Sequence, residues 1–141
     1  MIFTNSDGGA RGNPGPGAIA VIVRKDGEIL TKYSKFIGKL VTNNIAEYEG
    51  LIAALELAKT YTKEEVTCIL DSELVINQLL GKYRVRNPKL LEYFLKVQKL
   101  QENFEKVIYK HVSRWDEFQQ MTDELLNQEL DNAGFRKYVK R

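Results

Sequence analysis

Four carboxylates, Asp7, Glu47, Asp71 and Asp123, are spread along the chain, each inside its own local pattern. Asp7 opens DGGARGNPG, Glu47 sits in TNNIAEYEGL, Asp71 opens DSELVINQL and Asp123 opens DELLNQELD. Taken singly, each has an ordinary explanation. Asp-Gly favours a turn. Glu47 and Asp123 suit the positive end of a helix. Asp71 suits the N-cap of a helix beginning at Ser72. Taken together, at element boundaries and first helical turns, they form a candidate cage for divalent cations. Such a cage suits phosphoryl chemistry, because two metal ions about 3.5–4 Å apart stabilise both the attacking and the leaving oxygen. Hard oxygen ligands select Mg²⁺ or Mn²⁺ over zinc. Like charges this close cannot all ionise cheaply, so some of the carboxyl pKa values should rise in the metal-free protein.

The elements that must position these groups are legible from periodicity. Residues 1–7 read as a strand ending at Asp7, followed by a turning, glycine- and proline-rich loop from Gly8 to Gly17. AIAVIVR at 18–24 reads as a buried strand, Asp26-Gly27 as a hairpin turn, and 29–37 as a third strand. Helical spacing runs over 44–60, with Asn43 or Asn44 as its cap. A strand at 66–70, a helix at 72–80 and a helix at 88–102 follow, the last capped by Asn87 with Pro88 in its first turn. A strand at 104–110 and a helix at 119–132 complete the order β-β-β-α-β-α-α-β-α. This order predicts one mixed α/β sheet with helices on its faces. All four carboxylates meet at one edge if the first and fourth strands are neighbours.

Composition excludes more than it assigns. A length of 141 residues fits a single domain, 1–141, with a core that needs no disulfide or metal staple. The net charge of +2 is too mild to announce a nucleic-acid binder. Cys68 is the one cysteine and sits in the apolar run VTCIL, so it reads as a small buried hydrophobe. No CxxC or HxxxH spacing supports zinc. There is no signal-peptide pattern and no apolar run of membrane-spanning length, so a cytoplasmic protein with no membrane partner is expected.

At its motifs the chain resembles the type 1 ribonucleases H, which cut the RNA strand of RNA–DNA hybrids with two Mg²⁺ or Mn²⁺ ions. The resemblance covers residues 1–131 and rests on DGGARGNPGPGAIAVIV at 7–23, TNNIAEYEGLIAALELA at 42–58, DSELVINQLLGKYRVRNPKL at 71–90, and HVSR with the later DELLNQELD. YRVRNPKL is similar to the compact archaeal and bacterial members. The segment between Leu80 and Asn87 is too short for the basic, Trp-bearing protrusion of larger relatives. The resemblance implies a ribonuclease H-like α/β fold with a five-stranded mixed sheet flanked by helices. It implies a metal-dependent endoribonuclease that leaves 5′-phosphate and 3′-hydroxyl ends, with Asp7 bridging both metals and Glu47, Asp71 and Asp123 as further ligands.

The family's substrate contacts carry over to Asn13, Asn43 and Asn44. An amide side chain both donates and accepts, as the ribose 2′-OH does. Thr42 and Asn87 match residues that hold a DNA-strand phosphate. Leu40 stands where the family often has Arg, with Lys39 beside it, and Lys82, Arg84 and Arg86 form a basic patch near Asn87. His111, just past the fifth strand, matches a mobile His that assists product release, and Arg114 competes for that auxiliary role. RWDEFQQMTD is longer than the family's usual spacing, and Gln119 stands where an Asn is expected. Trp115 is expected to cover the sheet edge rather than stack on substrate. The expected partner is an RNA–DNA hybrid, with double-stranded RNA a second candidate, and the expected state is a monomer. The rivals are an integrase- or resolvase-like DNA nuclease of the same fold and a non-catalytic hybrid-binding module.

Overall fold

Alternation along residues 18–23 decides the layering. Ala18 and Ala20 point to one side of their strand, where they meet Leu126 and Leu130. Val21 and Val23 point to the other side, into the main core with Tyr48, Leu51 and Leu55. A strand buried on both faces this way must be interior to a sheet with a helix on each side.

The computed structural model describes residues 1–135; the basic tail residues Arg136, Lys137, Lys140 and Arg141 lie outside them. In chain order the elements are β1 (Ile2–Ala10), β2 (Gly15–Lys25), β3 (Glu28–Val41), α1 (Asn43–Ala58), β4 (Glu65–Leu70), α2 (Glu73–Leu79), α3 (Pro88–Gln101), β5 (Lys106–His111) and α4 (Glu117–Asn132). The described strands form one five-stranded sheet in the order β3-β2-β1-β4-β5. β1, β2 and β3 make an antiparallel meander, while β4 runs parallel to β1 and β5 parallel to β4. Residues of α1 and α3 pack in the main core on one face, and α4 packs over Ala18 and Ala20 on the other. The small alanines let α4 lie close to the sheet.

The element order matches the sequence expectation, and several boundaries move. β1 does not stop at Asp7 but runs to Ala10, and β2 starts at Gly15, so the turn shrinks to residues 11–14. Gly8, Gly9, Gly15 and Gly17 belong to strands because glycine serves close packing here as well as turning. β3 runs on past Gly38 to Val41 through a register shift opposite Gly17. The last helix starts at Glu117, with Asp116 as its cap. The extra residues before Asp123 therefore lengthen the helix and leave only 112–116 as loop.

Two glycines fix how α1 meets β1. A Cβ on Gly8 would lie 1.9 Å from the Ala46 carbonyl oxygen, and one on Gly50 would lie 2.8 Å from the Asp7 carbonyl oxygen. Both obstacles are backbone, so neither can swing aside. Overpacking of this kind usually costs about 1–3 kcal/mol and sometimes more. Gly8→Ala is expected to lower the unfolding free energy by at least the upper end of that range, about 3 kcal/mol, read as a lower urea midpoint with an unchanged m-value. Equilibrium unfolding checks it, and a midpoint near wild type would show that α1 can be displaced at little cost.

Candidate active site

β1 and β4 bring the first pair of carboxylates together. Their parallel register pairs Asn5 with Ile69, so Asp7 and Asp71 lie two positions further along each chain. Asp7 sits inside β1 opposite Ala20 rather than at the strand's end, and it is buried. Asp71 follows the last residue of β4. The cap of α2 is Ser72, whose hydroxyl accepts from the Val75 N–H, so the Asp71 side chain is not used for capping. Glu47 comes from the second turn of α1, at the height the Gly8 contact sets.

The oxygens of Asp7, Glu47 and Asp71 converge to within 4.8 Å of one another. Asp123 stands outside that group, in the second turn of α4 rather than the first, but near enough for its charge to act on Asp7. The structure thus brings all four carboxylates to one edge, from both layers of the fold. Asp7, Asp71 and Asp123 border a cleft of about 640 Å³ with Gly8, Gly9, Arg114, Trp115 and Gln120 in its wall.

Burial is the main electrostatic fact of this cluster. It pushes the Asp7 carboxyl well above the usual range, and the charges of Asp71 and Asp123 push it further. Burial does the same to Glu47, followed by repulsion from Asp7 and Asp71. The Gly8 backbone N–H pulls both the other way. Asp71 is raised chiefly by burial, against the opposing effects of its own backbone N–H, His111 and Gln119. Glu47 Oε2 is shut from solvent with no hydrogen-bond partner among the described residues. A buried acceptor without a donor, inside an all-oxygen cluster, fits a hard divalent cation.

The amides expected to read substrate are tied to one another. The cap of α1 is Thr42, not Asn43 or Asn44, because the Thr42 hydroxyl accepts from the Ile45 N–H at 3.2 Å. That commits Thr42 Oγ1 within the helix terminus. Asn43 Oδ1 instead accepts from the Ala10 N–H at 2.9 Å, and the Asn43 N–H donates to Asn13 Oδ1 at 3.0 Å. Asn13, Asn43 and Asn44 are all exposed at this corner. Asn87 caps α3, its Oδ1 accepting from the Lys89 and Leu90 N–H groups. Lys39, Lys82, Arg84 and Arg86 are exposed.

His111 is the last residue of β5, paired with Leu70, rather than a loop residue, and its charge acts on Asp71. Arg114 lies in the cleft wall with its guanidinium 4.9 Å from the centre of the Trp115 ring. Trp115 does not cover the sheet edge: it is 70% exposed and forms the rim of the cleft. The short loop after β5 projects it outward instead.

Sequence reasoning missed the polar supports. Gln119 is fully buried: its Nε2 donates to the Ser6 carbonyl at 2.8 Å, and its Oε1 accepts from Asn5 Nδ2 at 3.2 Å. It fastens α4 to β1 beside Asp71. The spacing 119-122-126-130 marks the buried face of α4, so its polar members could have been noticed as core positions. Arg11 is the other omission: it is held in place by Asp131 and Asn127.

Known proteins share this architecture. A family profile described as "Reverse transcriptase-like" matches residues 5–128. Ribonuclease HI of Halobacterium salinarum is 38% identical over 90% of this chain and 63% of that protein. Ribonuclease H of Citrobacter koseri is 34% identical over 82% of this chain and 73% of that protein. A bifunctional protein of Mycobacterium tuberculosis is 35% identical over 94% of this chain, which spans only 36% of its length. Among solved structures, LC11 ribonuclease H1 in complex with an RNA/DNA hybrid matches with a TM-score of 0.87 at 37% identity, covering 94% of this chain and 99% of that one. Ribonuclease H1 of Halobacterium salinarum matches with a TM-score of 0.86 at 34% identity, covering 93% and 98%. The chain belongs to the type 1 ribonuclease H family, in the compact form without a protrusion between α2 and α3.

The raised carboxyls make a stability prediction. Asp7 and Glu47 hold protons in the folded chain that the unfolded chain has already released, since an unfolded Asp or Glu ionises near pH 4. Without metal, stability should therefore fall as pH rises above about 4. Asp7→Asn removes one buried charge and its repulsion on Glu47. In EDTA at pH 8 this variant is expected to melt several degrees above wild type, with the gain shrinking toward pH 5. Thermal unfolding at both pH values checks the sign, and equal melting points at pH 8 would contradict it.

Proposed function

We propose that this chain is a metal-dependent endoribonuclease that hydrolyses the RNA strand of RNA–DNA hybrids, leaving 5′-phosphate and 3′-hydroxyl ends. The observation that carries it is the convergence of Asp7, Glu47 and Asp71, with a buried unpartnered Glu47 oxygen, next to a corner of exposed amides. Pure binding of a polyanion gains nothing from a negative cluster, which counts against a non-catalytic module. The amide corner favours a ribose-reading enzyme over a DNA nuclease, because the 2′-OH distinguishes RNA from DNA. The hybrid in the LC11 complex gives the same direction.

Asp7, Glu47 and Asp71 would hold one Mg²⁺ or Mn²⁺, and Asp7 with Asp123 a second. When bound, the ions supply charge compensation for the carboxylates and for the reacting phosphate. The remaining work falls to the chain's own groups. Asp7, on the rigid centre of the sheet, fixes where the cluster sits. Asn13, Asn43 and Asn44 would set the register of the RNA strand through successive 2′-hydroxyls. Arg114 in the cleft wall and His111 at the end of β5 are the two candidates for moving a proton or helping the product phosphate leave. A monomer in the cytoplasm acting on hybrid, with double-stranded RNA as a second candidate substrate, completes the reading.

Labelled hybrid, RNA duplex and DNA duplex, each with Mg²⁺, Mn²⁺ or EDTA, test it. Hybrid should be cut with either metal and not in EDTA, and DNA duplex should survive. Cutting of DNA duplex would favour the DNA-nuclease reading. Asp7→Asn should abolish cleavage while hybrid binding persists.

Two further measurements refine the site. A single ribonucleotide in DNA should be cut far more slowly than a run of four, because several amides share the reading; equal rates would exclude a multi-contact corner. His111→Ala and Arg114→Ala should separate the auxiliary role: the true carrier should lose about 10²-fold in kcat with little change in KM. If neither does, the carboxylates and their ions account for the catalysis alone.

A further inference from the structure

Asp123 is the odd member of the cluster. It lies outside the three-carboxylate group, is exposed, and comes from the helix on the opposite face of the sheet from α1. An exposed Asp on a helix surface is free to rotate unless something holds it. Here something does. Asn127, one turn further along α4, donates its Nδ2 to Asp123 Oδ2 at 3.2 Å and to the Asp123 carbonyl at 3.0 Å.

An amide can present either end, so Asn127 must itself be oriented. Arg11 does this. Its Nη2 donates to Asn127 Oδ1 at 3.1 Å and to the Asn127 carbonyl at 3.2 Å. Its Nη1 donates to Asp131 Oδ1 at 2.6 Å and to the Phe135 carbonyl. A guanidinium only donates, so the amide oxygen must face Arg11 and the amide nitrogen must face Asp123. With Arg11 gone, the amide could turn its oxygen to the carboxylate, which repels it. Arg11 also belongs to the tight turn that carries Asn13. The turn that reads substrate is thereby anchored to the helix that carries the fourth carboxylate.

We propose that Arg11 is a positioning residue that, through Asn127, sets the orientation of Asp123 for the second divalent ion. This rests on the functional reading above for the identity of the ion, and on the hydrogen-bond chain for the role of Arg11. The competing explanation is a staple: Arg11 and Asp131 merely hold α4 to the sheet.

Arg11→Lys separates the two. Lysine keeps the positive charge and can still pair with Asp131, but a point charge cannot grip Asn127 through a fork while holding Asp131. The measurements are thermal melting, calorimetric titration of the free protein with Mn²⁺, and the Mg²⁺ dependence of hybrid cleavage, on Arg11→Lys, Asn127→Ala and the double variant. Groups that orient metal ligands typically contribute 10–100-fold in metal affinity or activity. Both single variants are expected to melt close to wild type. Each should weaken the weaker of two Mn²⁺ binding events about tenfold and raise the Mg²⁺ needed for half-maximal rate by a similar factor, with KM for hybrid within about twofold. The double variant should be no worse than the worse single one, because the two residues act in series. Unchanged Mn²⁺ affinities with lowered melting points would overturn the proposal in favour of the staple, and so would additive losses. Calorimetry needs no substrate: a wild-type chain that binds Mn²⁺ but leaves hybrid intact would sink the proposed activity and leave the result on Arg11 to stand.

Discussion

The contact between Gly8 and the Ala46 carbonyl sets the spacing on which the site depends. With no side chain between them, α1 lies directly on β1, and Glu47 is delivered to the level of Asp7. Gly50 does the same one turn on, against the Asp7 carbonyl. The consequence is a pair of carboxyls so buried and so close that neither ionises at its ordinary pH. Such an arrangement costs stability, and the apolar contacts of Tyr48, Leu51, Ala54 and Leu55 on the same helix offset it. The helix that brings the acid in also supplies the core that tolerates it.

The site is built from two layers that do not share a core. Asp7, Glu47 and Asp71 belong to the sheet and the α1 face, whereas Asp123 belongs to α4, over Ala18 and Ala20. Two layers meeting at one edge need a link that packing alone does not give, because apolar contacts do not fix a rotation. Polar links fill that need. Gln119 ties α4 to the β1 backbone beside Asp71, and Arg11 ties its far end to the turn between β1 and β2. Both are directional and largely withdrawn from water, where hydrogen bonds specify geometry best.

The fold was legible in the sequence wherever periodicity ruled, and less so where close approach did. AIAVIVR and VTCIL could be little but buried strands, and the element order followed. The glycines after Asp7 misled because turn and close contact leave the same residue type; only the Ala46 carbonyl distinguishes them. The caps misled for a related reason. Thr42, Asn43 and Asn44 are all good caps, and the hydroxyl of Thr42 took the role because Asn43 is bound to Ala10 and Asn13. Ser72 displaced Asp71 in the same way. The four carboxylates were readable because each carries its own motif. Arg11, Gln119 and Asn127 were not, because their meaning lies in partners as far as 120 residues away. Trp115 was misjudged because a lone Trp is usually at least partly covered, and only the short loop after β5 shows it turned outward.

A compact chain with a net charge of +2 has few means of holding a polyanion. On the proposed reading its cluster of carboxylates would face the reacting phosphate and repel it when no cation is present. Phosphate contacts dominate nucleic-acid affinity and weaken steeply with salt. Lys39, Lys82, Arg84 and Arg86, all exposed, can supply only a modest share of them. Affinity on the proposed reading then has to come largely from the amide corner, and divalent ions would cancel the repulsion at the site without supplying most of the grip. Grip and chemistry are then separable: the amides would hold the strand, and the ions would serve the reaction. The Arg11–Asn127 link then bears on the ions and not on the grip: a wandering Asp123 would weaken the second ion while the amide corner still holds the strand.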